Sequence, residues 1–334
     1  MSTPSAASVI FASQGGQSSE LSSAQTPSTL VAEVLSRLNI PPEQNGVGSE
    51  SLAQKLARLD ARIGNLGSLL VAYSGGVDSA YLAWRAAQVL GERALAVMAD
   101  SPSLARSQYQ DAVAFAREQG IALLVVETAE MDRAAYAANA SDRCFHCKDE
   151  LFTVLEAERE RRGMAVVAYG LNQDDKGDFR PGQQAAVAHR VVAPLAEAGL
   201  NKAEIRALAA EAGLRLWDKP ASACLASRLA YGLTVTPKRL REVELAEEAL
   251  HALGFRQVRV RHHGEIARIE IAIEELVQAL TPTMMARIGQ QVRAAGFHYV
   301  AVDCEGYRSG SMNELLPVSA LTAASPAATN GKNV

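Results

Sequence analysis

The fold is decided by the stretch SGGVDS, residues 74–79. The run LLVAY (69–73) before it is typical of a short buried strand, and DSAYLAWRAAQVLG (78–91) after it has the apolar spacing of a helix. Glycines let a ligand approach the backbone closely, and the free N–H groups at a helix N-terminus attract anions. A strand, a glycine loop and a helix in this order therefore predict a site for a phosphate group.

Five residues of this loop carry the predicted chemistry. Ser74 and Ser79 offer hydroxyl groups, while Gly75 and Gly76 leave room for a pyrophosphate. The carboxylate of Asp78 would repel a phosphate, so we expect it to help hold Mg²⁺, whose oxygen ligands include phosphates. The loop matches neither G-x-x-x-x-G-K-[ST] nor G-x-G-x-x-G, which excludes the two commonest nucleotide loops. The alternative is an ordinary turn in which Ser74 caps the helix.

Strand and helix patterns alternate from this loop as far as residue 170. Apolar runs at 94–100, 121–128 and 165–170 predict three more strands, and the segments between them have helical spacing and end at glycines. Alternating strands and helices indicate a parallel sheet, and the continuous apolar character of the strands indicates helices on both faces. The predicted fold class is therefore α/β.

The pattern changes near residues 234–237. A helix over 238–254 is followed by two strands that meet at Gly264, by two short helices, and by a last strand over 298–304 that contains Cys304. A hairpin between helices indicates a small α+β domain, and we expect Cys304 to lie in its core. Both ends of the chain are poor in charge and rich in small and polar residues, which is typical of disorder. We therefore predict a disordered tail over 1–50, a parallel-sheet α/β domain over 51–234, a smaller α+β domain over 235–316 and a disordered tail over 317–334.

Composition limits the class of protein. A chain of 334 residues suggests about two domains. Its 33 Lys and Arg against 37 Asp and Glu give a formal net charge of −4, which argues against a dedicated nucleic-acid binder. No apolar run is long enough to span a membrane, and the N-terminus lacks the pattern of a signal peptide. Four cysteines are too few for a disulfide-stapled secreted fold, so we expect a cytoplasmic protein.

Three of the four cysteines occur in motif-like surroundings. Cys144 and Cys147 form the CxxC of RCFHCK, and Cys224 follows a proline and several small residues in KPASACLASR (219–228). A CxxC pair by itself fits a zinc site, a redox pair or two core cysteines. Three thiolates with an open fourth position suit a [4Fe–4S] cluster with one exchangeable iron. The residues alone leave these alternatives open.

The loop SGGVDS is similar to the PP-loop of ATP pyrophosphatases, the superfamily of NAD synthetase, GMP synthetase and tRNA thiolases. These enzymes cleave ATP between its α and β phosphates and adenylate a substrate. A more specific resemblance, to the LarE family of ATP-dependent sulfur transferases, covers about residues 55 to 315. It is carried by SGGVDSA, RCFHCK, YGLNQDDKGDFRPG (169–182), KPASACLASR and EGYRSGSMNE (305–314).

The resemblance implies a reaction. LarE-family enzymes adenylate a carboxylate of pyridinium-3,5-biscarboxylic acid mononucleotide with ATP, and a sulfur nucleophile then displaces AMP to leave a thiocarboxylate. The product leads to the nickel-pincer nucleotide of lactate racemase. Some members sacrifice the sulfur of the cysteine that matches Cys224, whereas others carry three cysteines that hold a [4Fe–4S] cluster delivering sulfide. Because this chain has Cys144, Cys147 and Cys224, we expect the cluster version, with ATP and Mg²⁺ as further cofactors.

The resemblance also implies roles for individual residues. Ser227 and Arg228 follow Cys224 and are expected to shape the sulfur-transfer pocket. Arg259 and Arg261 lie two apart on a predicted strand, so they share a face and could clamp the substrate phosphate.

Five acidic positions have weaker support. Glu247 and Glu270 could help to hold a metal or the substrate, and solvated charges are the alternative. Asp100 ends the second strand, where we expect the ribose or adenine of ATP; capping the next helix is the alternative. Asp174 and Asp175 could bind Mg²⁺ or line the ATP site, unless they belong to an ordinary polar loop.

Two other functions fit part of the pattern. A tRNA thiolase also uses a PP-loop and a three-cysteine cluster, but it needs a basic RNA-binding surface that a charge of −4 does not suggest. An ammonia-dependent ligase of the NAD or GMP synthetase type would leave the cysteines unexplained. The LarE resemblance implies a small-molecule nucleotide as substrate, a possible sulfide donor, no nucleic-acid or membrane partner, and a homo-oligomer that resembles the hexamers of the family.

Overall fold

The structure is a computed structural model that describes residues 9–10, 50–177, 181–220, 223–308 and 312. Most of the two predicted tails lies outside these residues. Val9–Ile10 is an exception to the predicted disorder, because its backbone pairs with an edge strand of the sheet. Two adjacent β-branched residues suit such pairing.

A five-stranded sheet forms the centre of the first domain. The strands are β1 (Val9–Ile10), β2 (Leu69–Ala72), β3 (Ala94–Asp100), β4 (Leu123–Glu127) and β5 (Val166–Tyr169), in the spatial order β1-β4-β3-β2-β5. The last four are parallel, whereas β1 runs antiparallel to β4. Every residue of β2 is buried, as expected for a central strand covered on both faces. The predicted α/β class is confirmed.

Helices cover both faces of this sheet. Capping boxes begin two of them, since Ser51 and Asn201 each accept a hydrogen bond from a backbone N–H three residues on. No described helix is long and apolar enough to cross a bilayer. The helices of this domain are α1 (Leu52–Asn65), α2 (Val77–Leu90), α3 (Arg106–Glu118), α4 (Ala134–Ala137), α5 (Arg143–Arg161), α6 (Pro181–Ala188), α7 (Pro194–Glu197) and α8 (Lys202–Glu211).

Helix α5 begins earlier than its sequence pattern predicts. The pattern favours a helix over 147–163, whereas the observed helix spans Arg143–Arg161. The CxxC motif therefore lies in its first turns instead of in a preceding loop. Residues three apart share one face of a helix, so Cys144 and Cys147 project to the same side.

The second domain is a mixed sheet covered by helices. Its elements are α9 (Pro237–Ala252), β6 (Val258–His263), β7 (Ile266–Ile271), α10 (Leu276–Ala279), α11 (Pro282–Ala294) and β8 (Tyr299–Val302). Strands β6 and β7 form the predicted antiparallel hairpin, and Gly264 in its turn has a left-handed φ of 76°. Strand β8 runs parallel to β7. Thr236 caps α9 and Pro237 occupies its first turn.

The core of the second domain includes residues that precede the predicted boundary. Leu225, Ala226 and Leu229 are buried among the side chains of α9 and of the hairpin. Leu229 also forms a bridge to His262 of β6. The segment that carries Cys224 is therefore anchored on the second domain.

The expectation that Cys304 lies in the core is wrong. Strand β8 ends at Val302, and Cys304 is exposed just beyond it. β8 pairs only with β7 among the described strands, and Tyr299 and Ala301 are exposed on it. An apolar pattern on such an edge strand does not imply burial.

Candidate nucleotide and sulfur site

A cavity of about 510 Å³ opens at the carboxyl ends of the parallel strands. The glycine loop forms one wall, the ends of β3 and β4 form a second, and α5 and the start of α6 form a third. Open α/β sheets bind ligands at this edge. Four of the loop residues singled out in the sequence line the cavity, namely Ser74, Gly76, Asp78 and Ser79.

Close packing fixes the shape of the glycine loop. Gly75 has a left-handed φ of 72°, and a Cβ there would overlap with the side chain of Ala112. Ser79 Oγ donates to the carbonyl of Gly76 at 3.1 Å and accepts from the N–H of Ser74 at 3.2 Å. At Gly170, after β5, a Cβ would lie 2.6 Å from the backbone nitrogen of Ser79. Both glycines are required by their surroundings.

Lys219 connects the glycine loop to the segment that leads to Cys224. Its Nζ donates to the carbonyl of Gly75 at 3.0 Å and pairs with Asp111 at 2.6 Å. Arg206 holds the backbone of the same segment by donating to the carbonyl of Lys219 at 2.6 Å. These contacts fix the two segments relative to each other.

Asp78 lies at the phosphate end of the cavity. One of its oxygens accepts from Lys202 Nζ, and the other, Oδ1, is buried without a hydrogen-bond partner among the described residues. Burial raises the pKa of Asp78, and the Lys202 ammonium offsets only part of that effect. Asp175 also lines the cavity, whereas Asp174 accepts from the N–H of Lys202 at 2.9 Å.

These carboxylates fit Mg²⁺ by their chemistry. The described residues contain no group of three or more His, Cys, Asp or Glu arranged around a metal. Mg²⁺ commonly takes only one or two carboxylates and completes its coordination with phosphate oxygens and water. The orphaned Oδ1 of Asp78, with Asp175 close enough to raise the Asp78 pKa further, suits such a partial site.

The CxxC cysteines line the opposite end of the cavity. Cys144 and Cys147 belong to its wall, whereas Cys224 is exposed and lies outside the described lining. Burial raises the pKa of Cys147 to about 12, and the nearby Cys224 sulfur adds to this effect. The three sulfurs therefore lie near one another. Thiols are the donors that iron–sulfur clusters use, but the positions described do not form a metal-binding group.

A buried arginine lies among these sulfurs. Arg143 donates to Asn139 Oδ1, to the carbonyl of Ala226 at 2.9 Å and to Cys144 Sγ at 3.9 Å. Burial opposes its charge, but the sulfurs of Cys224 and Cys144 hold the pKa of Arg143 above its ordinary value. No carboxylate among the described residues pairs with this guanidinium. The sequence signal for it was an arginine directly before CxxC.

The turn that carries Cys224 is held by its neighbours. Ser227 Oγ donates to the carbonyl of Cys224 at 2.7 Å. Arg228, which is only 2 % exposed, donates to the carbonyls of Ala223 and Cys224 and binds both oxygens of Glu247 at 3.0 and 3.2 Å. Neither Ser227 nor Arg228 is among the described residues that line the cavity. Ser227 and Arg228 therefore hold the backbone of Cys224 without lining the cavity themselves.

The arginines of β6 form a charged cluster beside that turn. Arg259 and Arg261 alternate with the core residues Val258 and Val260. Arg261 pairs with Glu270 at 2.7 Å, and Glu270 also binds Arg268 at 3.2 Å.

The two glutamates of this cluster hold arginines. Glu270 and Glu247 are engaged by guanidinium groups, so neither presents the open carboxylate expected of a metal ligand. Burial, with Arg228 and Arg261 nearby, lowers the pKa of Arg259. Its guanidinium also lies 5.3 Å from the ring centre of Tyr307. The cluster thus brings Arg228, Arg259 and Arg261 close together.

Asp100 does not lie where the sequence suggested. It pairs with Arg106 at 2.6 Å and is not among the described cavity residues, although its neighbours Ala99 and Ser101 are. Side chains alternate along a strand, so a strand-end carboxylate can turn away from the ligand edge. A different acid, Glu130, lines the cavity instead. The sequence reasoning missed it because it follows β4 without a recognisable motif.

Comparison with known proteins agrees with this geometry. Residues 47–173 match the family described as NAD synthase. The chain is 43% identical over 265 residues to an uncharacterised protein of Synechocystis sp., covering 79% of this chain and 99% of that protein. It is 35% identical over 267 residues to the pyridinium-3,5-bisthiocarboxylic acid mononucleotide synthase of Lactiplantibacillus plantarum, covering 80% of this chain and 96% of that enzyme. The chain belongs to the LarE family. An uncharacterised protein of Methanocaldococcus jannaschii is 27% identical over 72% of this chain and 91% of its own length. LarE membership places the glycine loop in an ATP-using PP-loop domain.

We expect the buried thiol of Cys147 to react slowly with iodoacetamide in metal-free protein. Only the thiolate reacts, and a pKa of about 12 leaves little thiolate at neutral pH. The rate at Cys147 should rise about tenfold per pH unit between pH 7 and 10, as measured by peptide mass spectrometry. The exposed Cys304 serves as an internal reference. Equal modification of both cysteines at pH 7 would contradict the burial of Cys147.

Proposed function

We propose that this protein is an ATP-dependent sulfur transferase that converts carboxylates of pyridinium-3,5-biscarboxylic acid mononucleotide to thiocarboxylates, a step toward the nickel-pincer cofactor of lactate racemase. The observation that carries the proposal is one cavity with a PP-loop at one end and two cysteines at the other. The name of the Lactiplantibacillus plantarum relative supports the same substrate class. A ligase that used ammonia would have no need of the sulfur end.

The phosphate end provides the activation step. The loop of Ser74, Gly75, Gly76 and Ser79 binds the pyrophosphate part of ATP through N–H and hydroxyl groups at the start of α2. Asp78 and Asp175 would hold the Mg²⁺, which neutralises charge on the phosphates. The substrate carboxylate attacks the α-phosphorus, the bond to the β-phosphate oxygen breaks, and pyrophosphate leaves. The product is a mixed anhydride of the carboxylate and AMP.

The sulfur end provides the second step. A sulfur nucleophile attacks the carbonyl carbon of the anhydride, and the bond to AMP breaks to leave a carbon–sulfur bond. Arg143 offers the positive charge that attracts anionic sulfur to this end of the cavity. A [4Fe–4S] cluster held by Cys144, Cys147 and Cys224 would supply an exchangeable sulfide ligand. Ser227 and Arg228 fix the backbone of Cys224 and so set where its sulfur lies.

The second domain would hold the phosphate of the mononucleotide. Arg259 and Arg261 share a strand face and are crowded by Arg228, so the site favours an anion. Arginine binds phosphate in a bidentate way. Glu247 and Glu270 contribute by fixing the neighbouring arginines.

The expected homo-oligomer stays a prediction. Exposed apolar side chains on one segment of the second domain are the surface that such an assembly would cover. They are Ile273, Val277 and Leu280, which are 62%, 82% and 51% exposed.

The activation step predicts AMP and pyrophosphate as products. With the mononucleotide present, the protein should release both in equal amounts, as measured by chromatography and a coupled pyrophosphate assay. Asp78→Asn should lower kcat about a hundredfold, because it removes the charge that holds Mg²⁺. Asp174→Asn is the matched control, since its carboxylate is not among the described cavity residues. Formation of ADP and phosphate would exclude a PP-loop mechanism.

The phosphate clamp predicts a specific change in KM. Arg259→Ala should raise KM for the mononucleotide about tenfold or more and leave KM for ATP unchanged, because the loss removes only a phosphate contact. Arg256→Ala is the control, since that side chain is 90% exposed. Equal effects of both substitutions would place the substrate phosphate elsewhere.

The sulfur source predicts the metal content. Anaerobically purified protein should contain about four iron atoms per chain, measured by metal and sulfide analysis. The mass of the peptide that contains Cys224 should be unchanged after turnover, because its sulfur is retained. The control is Cys304→Ser, which should leave iron unchanged because this thiol is exposed and is not among the described cavity residues. Loss of H₂S from Cys224 during turnover would instead indicate that its own sulfur is sacrificed.

A further inference from the structure

Glu130 is a buried acid that the reaction described above does not use. It begins the short 3₁₀ turn Glu130–Asp132 after β4 and is only 2 % exposed, although it lines the cavity. Its Oε1 accepts a hydrogen bond from Ser101 Oγ. Its Oε2 is buried without a hydrogen-bond partner among the described residues. Leaving a buried carboxylate oxygen without a donor costs free energy, so this atom indicates a ligand that donates.

Hydroxyl groups complete the surroundings of this carboxylate. Ser101 Oγ and Ser103 Oγ lie 2.8 Å apart, and the N–H of Ser103 donates to Ser101 Oγ at 3.0 Å. Both serines are buried and line the cavity. We call Ser101, Ser103 and Glu130 the acidic ledge. It is held in place by its own hydrogen bonds, with Glu130 Oε2 left to accept from a ligand.

The wall beside the acidic ledge is apolar. Val97, Met98 and Leu104 line the cavity there. An apolar wall next to a few fixed polar groups suits a nucleoside, with the base against the wall and the sugar on the ledge. The glycine loop lies on another wall of the same cavity, where the phosphates would bind.

Charge limits which group can reach the ledge. A carboxylate repels phosphates and other carboxylates, so those parts of a nucleotide are excluded from it. The ribose hydroxyl groups are neutral donors that both ATP and a mononucleotide carry. A hydroxyl that donates to a charged acceptor makes one of the stronger hydrogen bonds.

We propose that Glu130, oriented by Ser101 and Ser103, accepts a hydrogen bond from a ribose hydroxyl of the nucleotide bound in the cavity. The proposal rests on the proposed function, because it requires that a nucleotide binds there. It moves to Glu130 the ribose contact that sequence position suggested for Asp100, which is paired with Arg106.

Binding measurements with ribose-modified ligands test the contact. AMP, 2′-deoxy-AMP and 3′-deoxy-AMP are titrated by calorimetry into the full-length protein and into Glu130→Leu and Glu130→Gln. Glu130→Leu should weaken AMP about ten- to a hundredfold, with Glu130→Gln in between, because glutamine keeps an uncharged acceptor. The same substitutions should not weaken the deoxy analogue that lacks the bound hydroxyl. The effects of the Glu130 substitution and of removing the hydroxyl are then not additive, which indicates direct contact. A general loss of structure would weaken both ligands equally.

Further ligands identify which ribose is bound. The same series with nicotinic acid mononucleotide and its deoxy analogues probes the ribose of the substrate. If the effect of the Glu130 substitutions depends on a hydroxyl of AMP, Glu130 binds the ATP ribose. If it depends on a hydroxyl of the mononucleotide, Glu130 binds the substrate ribose. We call this dependence coupling, and either result supports the proposal. Coupling to neither overturns it. Inosine monophosphate keeps the ribose hydroxyls but lacks the adenine amino group. If the loss of affinity caused by Glu130→Leu disappears only with this ligand, Glu130 contacts the amino group and the proposal is overturned.

Matched substitutions separate this result from failure of the proposed function. Glu127→Leu changes an exposed acid at the end of β4, and Asp100→Asn changes the carboxylate favoured by the sequence; both should leave the affinity ratios unchanged. If the unmodified protein binds no AMP and releases no pyrophosphate, the proposed function fails. If it does both and Glu130→Leu shows no coupling, only the ribose contact fails. Glu130→Gln keeps the test decisive if the leucine variant does not fold.

Discussion

The arrangement of the site depends on how closely the backbone packs around the glycine loop. Gly75 has a left-handed φ beside Ala112, and Gly170 lies against the backbone nitrogen of Ser79. These contacts bring the ends of β2 and β5 and the start of α2 so near each other that no side chain fits between them. The start of α2 therefore lies at the cavity, and Gly76, Asp78 and Ser79 line it. The phosphate chemistry follows from this packing more than from any single polar side chain.

Charge then separates the two ends of the cavity. At the phosphate end, burial raises the pKa of Asp78, and a buried oxygen of that carboxylate has no described partner. At the sulfur end, the buried guanidinium of Arg143 meets neutral acceptors and thiols instead of a described carboxylate. A buried charge without a counter-charge is costly. The phosphate end therefore favours a cation, as Mg²⁺ would supply. The sulfur end favours an anion, as an anionic sulfur would supply.

Local patterns in the sequence predicted the parts of the fold that depend on residues close together in the chain. The strand–loop–helix around SGGVDS and the β6–β7 hairpin follow from periodicity and glycine position. The start of α5 was missed although Asp142, at its N-cap, is a residue type that commonly begins a helix. The direction of Asp100 and the burial of Glu130 depend on contacts between segments distant in sequence. Periodicity carries no information about such contacts.

Residues of both domains form the sulfur end of the cavity. A few polar contacts join the two domains there. Asn139 Nδ2 donates to the carbonyls of Ala230 and Leu233, while Arg143 reaches the carbonyl of Ala226. These contacts join the start of α5 to the segment whose apolar residues pack in the second core. The distance between the CxxC thiols and Cys224 is therefore set by packing between the domains. Lys219 ties the same segment to the glycine loop, so one connection spans both ends of the cavity. Transfer of sulfur to an adenylated carboxylate would require such fixed spacing, because reacting atoms must be held about 3–3.5 Å apart and a misplacement of about 1 Å can cost about a hundredfold in rate.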